Sequence, residues 1–109
     1  SQHRKKTDEL LQKMYQTTKS YLNARNESGK DYKKLFDAEM KYKMAYMKYE
    51  DSKVKTIDLD NAVKACKAKI GKTQKEFDRT VRVLTKKSEE VFYQVLLGMS
   101  QFFAEKERV

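Results

Sequence analysis

The strongest constraint on this chain is an apolar repeat that runs along nearly all of its 109 residues without a single proline. In the first half, apolar and small residues recur at alternating steps of three and four, with a polar residue at Asp31. The row continues in phase through Gly29, which favours one long helix over two helices and a loop. The spacing predicts an α-helix with a broad apolar face toward a partner. The main row is Leu10, Met14, Thr17, Tyr21, Ala24, Ser28, Leu35, Ala38, Tyr42, Ala45 and Tyr49, and the flanking row is Leu11, Tyr15, Leu22, Phe36, Met40 and Met47.

The second half keeps a helical pattern but changes its period. The spacing begins near 3.5 residues and drifts toward about 3.67, because four apolar residues from Ile70 to Phe103 lie eleven apart. An eleven-residue repeat favours a straight or slightly right-handed course over a left-handed supercoil. The predicted inward row is Leu59, Val63, Cys66, Ile70, Thr73, Phe77, Val81, Leu84, Ser88, Val91, Val95, Met99 and Phe102.

A single turn divides the chain. We expect one long helix over about residues 4–55, a turn over about 56–60 and a second long helix over about 61–107. Asp58 is the expected N-cap of the second helix, and Ile57 is expected to pack at the turn. A short connection makes two long helices antiparallel neighbours. The predicted fold class is all-α, as an elongated antiparallel helical hairpin or coiled-coil bundle in a single domain or fragment.

One segment has more apolar surface than a hairpin can cover. Residues 91–103, VFYQVLLGMSQFF, are apolar nearly all round. A facing helix covers only one side of such a segment. The remaining sides predict another helix or a second chain, so we expect the bundle to be completed by dimerisation.

Basic residues predict an acidic partner. The formal net charge is +9, and residues 30–87 hold seventeen Lys/Arg against nine Asp/Glu. An anionic membrane, an acidic protein or a nucleic acid would complement this charge, whereas a merely soluble surface rich in lysine is the alternative without function. Two basic stripes are expected: Lys34, Lys41, Lys48 and Lys55 on the first helix, and Lys64, Lys67, Lys72, Lys75, Arg79, Arg82 and Lys86 on the second.

The stretch 39–55, EMKYKMAYMKYEDSKVK, combines tyrosine, methionine and lysine. Tyrosine suits half-buried positions and methionine fills irregular gaps between helices. We therefore expect tyrosine and methionine to face helices and lysine to face an acidic surface. A base-stacking platform is the less favoured interpretation.

The sequence contains no motif that indicates an enzyme. It has no Gly-rich phosphate loop, no HExxH, no GxSxG and no paired cysteines. One cysteine and one histidine form neither a disulfide nor a structural zinc site, so no metal and no cofactor are expected. A single cysteine fits a reducing, cytoplasmic compartment. The first residue is not methionine, and the first residues already follow a helical pattern, which suggests a fragment of a larger protein.

The segments KDYKKLFDAEMKYKMAYMKYEDSKVK and AKIGKTQKEFDRTVRVLTKKSEEVFYQVLLGMSQFFAEKERV, separated by a short turn, resemble the last two long helices of a BAR-superfamily domain. The likeness spans about residues 30–107. It is closest to BAR domains joined to PH, ArfGAP or RhoGAP modules, and F-BAR domains share much of it. A full domain of this kind has roughly twice this length.

The resemblance implies a crescent-shaped homodimer, or a pairing with another helical chain, that binds and bends anionic phospholipid membranes in trafficking or endocytosis. It implies a cytoplasmic protein at the membrane periphery. The implied dimer or bundle core is Val91, Phe92, Val95, Leu96, Met99, Phe102 and Phe103. The implied membrane-binding residues are Lys34, Lys41, Lys48, Lys64, Lys67, Lys69, Lys72, Lys75, Arg79 and Arg82.

Two other functions stay open. The apolar stripe could serve a coiled-coil protein–protein scaffold in which the charge provides only solubility. The basic stripes could also attract nucleic acid by counterion release, but no zinc-finger or RNP-type signature accompanies them, so this partner is disfavoured.

Overall fold

The chain is an all-α antiparallel helical hairpin, as the sequence predicts. The computed structural model describes residues 2–107, with side chains described from Arg4 to Ala104 except that of Phe102. Helix α1 spans Gln2–Asp51 and helix α2 spans Ile57–Glu107. The connection covers residues 52–56, four residues earlier than the predicted turn. Helix α1 continues through Gly29, which confirms one helix rather than two.

The residue that caps the start of helix α2 differs from the one expected. Helix α2 begins one residue before Asp58, so Asp58 lies in its first turn and the predicted cap is wrong. The Thr56 hydroxyl accepts a hydrogen bond from the Leu59 amide at 3.2 Å, and the Thr56 carbonyl accepts one from the Asp60 amide at 3.1 Å. Thr56 is therefore the N-cap, a position that threonine side chains stabilise by satisfying an unpaired amide.

A lysine binds carbonyl groups at the end of helix α1, on the other side of the connection. The Lys55 ammonium donates to the carbonyl oxygens of Tyr49 and Glu50, the latter at 3.1 Å, and lies 4.6 Å from the centre of the Tyr49 ring. It thus satisfies carbonyl groups that the end of a helix leaves unpaired. Ile57 was expected to pack here, but it is 78% exposed and makes no such packing contact. The connection is held by polar contacts to helix ends instead.

The inward face of α1 follows the predicted row throughout. Every residue of that row, from Leu10 to Tyr49, is buried or half-buried, and Asp31 takes the polar position within it. The six residues of the flanking row are all exposed. The stripe that α2 covers is therefore the narrow row that repeats every seven residues, and the flanking row forms free apolar surface.

The inward face of α2 departs from prediction after Leu84. Ser88, Val95 and Met99 are exposed, Val91 is half-buried as predicted, and the other inward positions pass to Lys87, Gln94 and Gly98. This seven-residue spacing matches that of α1, since two helices in sustained contact must keep their facing rows in step. The predicted drift to an eleven-residue period is wrong for the contact surface. The eleven-residue period is followed instead by apolar residues such as Phe92, which is 65% exposed and lies off the face that contacts α1.

The chain divides into two compact units. The hairpin unit, Glu27–Val81, contains the connection and the helix segments on either side of it. Its buried residues are Ser28, Leu35, Ala38 and Thr73, and the Tyr32 and Phe77 rings pack with centroids 5.5 Å apart. Small residues at the helix contact let the two backbones approach closely.

The terminal unit contains Ser1–Asn26 and Arg82–Val109. Its described buried residues are Ala24 and Gln94. Close packing is also seen at Gly98, where an added Cβ would lie 3.6 Å from the Met14 sulfur. The Gln94 side-chain oxygen is buried without a hydrogen-bond donor in the described structure. The core of this unit is thus small and partly polar.

Candidate anion-binding groove

All ten basic residues proposed for the membrane surface are exposed. Nine of them belong to the hairpin unit, and Arg82 begins the second segment of the terminal unit. Exposure alone follows from their charge, so it does not distinguish a binding surface from a soluble one. The informative observation is which of them the packing of the two helices brings together.

Four of these lysines line one groove of about 430 Å³, called here the lysine groove. Lys34 and Lys41 come from α1, and Lys69 and Lys72 come from α2. The two pairs therefore meet from opposite walls. The complete lining is Lys34, Asp37, Ala38, Lys41, Lys69, Lys72, Thr73 and Glu76.

The position of each lysine follows from its place beside the buried row. Lys34, Lys41 and Lys69 each directly precede an inward-facing residue, which puts all three on the same flank of the helix contact. Small residues form the floor, because Ala38 is 2% exposed and Thr73 is 6% exposed. The Thr73 hydroxyl donates to backbone carbonyls of its own helix, including that of Lys69 at 2.8 Å. The polar groups that line the walls are thus the lysines and two carboxylates.

The groove combines four ammonium groups with the carboxylates of Asp37 and Glu76. Among the described residues, neither carboxylate lies within ion-pair distance of a groove lysine. Ion pairs seen among the described residues are Lys30–Glu27 at 3.9 Å and Lys64–Asp60 at 2.9 Å in the hairpin unit, and Lys87–Glu90 at 3.6 Å in the terminal unit. The formal charge of the groove is +2, and its ammonium groups are not neutralised by direct contact.

Lys41 also borders a second, mainly apolar groove of about 240 Å³ nearer the connection. Lys48, one heptad after Lys41, stands on the same wall. The rest of its lining is apolar or small, namely Met44, Ala45, Leu59 and Ala62. A cationic groove therefore continues into an apolar one along the same flank of the hairpin unit.

The other predicted basic residues do not join the lysine groove. Lys64 pairs with Asp60, and this hydrogen bond and charge raise the pKa of Lys64 above its ordinary value. Lys67 lies two positions before Lys69, roughly 200° away around the helix. Lys75 and Arg79 do not line it either. Of the stripe predicted on α2, Lys72 is the residue that lines this groove, and the others lie outside it.

The methionines of the stretch 39–55 also differ from expectation. Tyr42 and Tyr49 face α2 as predicted, but Met40, Met44 and Met47 are exposed. Tyr46 is exposed as well, and its hydroxyl donates to the Glu50 carboxylate, which raises the pKa of Tyr46. Tyrosine supplies the packing here, while methionine adds apolar surface beside the lysines.

The predicted dimer or bundle core lies in the terminal unit. Of its residues, Val91 faces α1, and Phe102 lies outside the described side chains. The other five, Phe92, Val95, Leu96, Met99 and Phe103, are exposed. An apolar groove of about 570 Å³ opens beside them, lined by Thr7, Leu10, Leu11, Met14, Val95, Gly98, Met99, Gln101 and Phe103.

Sequence reasoning did not single out Asp37, Thr73 and Glu76 as groove residues, or Gln94 as a buried polar residue. A signal existed for all three: Asp37 lies three residues after Lys34 and Glu76 four after Lys72, spacings that make helix neighbours, and Thr73 belongs to the predicted inward row. The sequence did not predict Gln94 as buried, because the inward row was assigned to Val95 instead. The difference of one residue in register moves every later side chain by about 100°.

The described residues lack two further features. Within them, no cluster of three or more His, Cys, Asp or Glu side chains is arranged to hold a metal ion. No helix in this part of the chain combines the length and apolar character needed to cross a bilayer.

The chain matches no protein-family model, no curated protein and no solved structure.

Proposed function

We propose that this chain is a BAR-like dimerising module that binds anionic membrane surfaces through its basic helix faces, and senses or shapes their curvature. The single observation that supports membrane binding most directly is the lysine groove. Two helices place Lys34, Lys41, Lys69 and Lys72 on one flank without ion pairs to the carboxylates beside them. Such a protein would work in the cytoplasm at the membrane periphery.

The charge on this flank is large enough for useful binding. A lysine close to an anionic leaflet contributes about 1 kcal/mol, and this contribution decays over a Debye length of about 8 Å at physiological salt. The four groove lysines, with Lys48 beside the next groove, would together supply several kcal/mol. Met44, which is exposed and lines the same groove as Lys41 and Lys48, adds apolar contact at this surface.

Pairing is supported by the apolar surface of the terminal unit. The chain exposes 9181 Å². A compact monomer of this mass, 12.9 kDa, exposes roughly 6,300 Å². Large apolar side chains of the terminal unit, among them Phe92, Val95 and Met99, contribute to this exposed surface. A second copy covering Phe92, Val95 and Met99 would remove part of it from water.

Cosedimentation with vesicles tests the membrane proposal. The wild-type chain should bind phosphatidylserine-containing vesicles and not neutral phosphatidylcholine vesicles. Binding should weaken between roughly 100 and 300 mM salt, where the Debye length shortens from about 10 Å to about 6 Å. The variant K34E/K41E/K69E/K72E should lose this binding while keeping its helical circular dichroism.

The matched control is K30E/K33E/K43E/K53E, which changes four exposed lysines of the same unit that belong neither to the groove nor to the ten proposed membrane-binding residues. It has the same net charge as the groove variant and should retain most of the binding. Equal loss in both variants would show that net charge, rather than the groove, attracts the membrane.

A coiled-coil scaffold without membrane binding is the second candidate, and the exposed apolar groove of the terminal unit favours it. In that case light scattering should show a defined oligomer that is indifferent to lipid and moderate salt. Exchange of Phe92 and Met99 for serine should dissociate it. Absence of vesicle binding by a folded sample would favour this candidate.

A further inference from the structure

We propose that Met40, Met44 and Met47 form a thioether site for copper(I), a soft monovalent cation. All three residues lie on helix α1 in the hairpin unit. The sequence led us to expect no metal because cysteine and histidine are too few, but the thioether sulfur of methionine is a different donor. Copper binding here does not depend on membrane binding, because the three ligands are uncharged.

The three methionine side chains do not pack in the contact between the helices. Met40, Met44 and Met47 are 42%, 58% and 62% exposed. Methionine is among the residue types most often buried in folded proteins. Packing within the hairpin therefore does not account for three exposed methionines in this short stretch, and their side chains are open to a ligand from solvent.

The spacing puts these side chains on one narrow strip of α1. Helical positions i, i+4 and i+7 lie within about 60° of one another around the axis, and seven residues span about 10.5 Å along it. Residues three or four apart have Cβ atoms about 5–6 Å apart. Methionine side chains are unbranched and flexible, so Met40 and Met47 can turn toward Met44 and place three sulfur atoms around one ion.

The donor type selects the metal. A thioether is neutral and polarisable, and soft ligands of this kind favour copper(I) over harder ions. Zinc is bound by thiolate, imidazole and carboxylate groups, whereas calcium and magnesium are bound by oxygen ligands. Three thioethers on one strip therefore suit copper(I) and none of these other ions.

The charged side chains next to the strip balance one another. Neighbours on a helix surface lie three or four residues apart. The charged neighbours of the three methionines on α1 are Asp37, Lys41, Lys43, Lys48, Glu50 and Asp51. Three of them are positive and three are negative, so their formal charges sum to zero. The net positive charge of the rest of the chain acts at longer range, where salt screens it, and binding rests on the sulfur ligands.

The test is a titration of silver(I) into the chain, followed by NMR through the methyl resonances of the methionines. Silver(I) has the charge and ligand preference of copper(I) and is stable in air. Cys66 is first replaced by alanine, because its free thiol is also a soft ligand. The methyl resonances of Met40, Met44 and Met47 should move together and saturate at one silver ion per chain. Copper(I) under anaerobic conditions should compete with silver(I) for them.

Two variants in the same background locate the site. M40L/M44L/M47L removes the three sulfur atoms and keeps the charge, the apolar character and nearly the same helix preference. Its affinity for silver(I) should fall at least about tenfold, which corresponds to about 1.4 kcal/mol. M14L/M99L changes the two methionines of the terminal unit and should bind silver(I) as its parent does. Circular dichroism checks that each variant is folded.

Two results would overturn the site. One is a set of unmoved methyl resonances for Met40, Met44 and Met47 in excess silver(I). The other is equal movement of all five methionines of the chain, or equal affinity of M40L/M44L/M47L and its parent, since either would show unspecific thioether binding. The triple leucine variant keeps every lysine and should still bind anionic vesicles, so copper binding and membrane binding can fail separately.

Discussion

Replacement of Gln94 by leucine should stabilise this protein, although it removes a polar residue that faces the partner helix. Gln94 is 8% exposed, and its side-chain oxygen has no hydrogen-bond donor in the described structure. A buried acceptor that loses its bond to water costs about 1–3 kcal/mol. Leucine has a similar volume and no acceptor, so the free energy of unfolding should rise by about that amount.

The measurement is urea denaturation followed by circular dichroism, at several protein concentrations because a chain that self-associates has a concentration-dependent midpoint. Gln16→Leu is the matched control, since Gln16 is exposed on α1. Its effect should stay within about 0.5 kcal/mol, as for surface substitutions in general. A Gln94→Leu variant that is no more stable than this control would show that the side-chain oxygen is already satisfied, and the reasoning would be wrong.

Two further predictions concern the start of α2. Thr56→Ala removes the hydroxyl that caps the Leu59 amide, so it should lower the free energy of unfolding by about 1 kcal/mol. Asp58→Ala should not show the loss of a cap. Urea denaturation of both variants decides which of the two residues caps the helix. Asp60→Asn should return the pKa of Lys64 toward its ordinary value, which a titration of the lysine carbon resonances by NMR would show. Because the folded-state pKa of Lys64 is raised, any stability from this pair is fully present below the ordinary lysine pKa and is lost as the pH rises through the folded value. An Asp60→Asn titration that matches the wild type would contradict the pairing.

The site was only partly predictable. That Lys34 and Lys41 share one side of α1 follows from their seven-residue spacing, a property of a single helix. Their meeting with Lys69 and Lys72 depends on how far α2 is shifted along α1 and how it is rotated about its own axis. Both are set by the packing of residues such as Ala38 and Thr73, which carry no long-range signal in the sequence.

The sequence by itself determined the two helices, the continuity of α1 through Gly29 and the inward row of α1. These follow from local preference and period, since no proline interrupts the helices and the apolar residues recur in phase. Tertiary structure alone decided the inward row of α2 beyond Leu84, where the apolar residues wind away and Gln94 and Gly98 take the contact. The physical reason is that a helix facing a partner must keep the partner's seven-residue repeat, even where its own apolar pattern has another period.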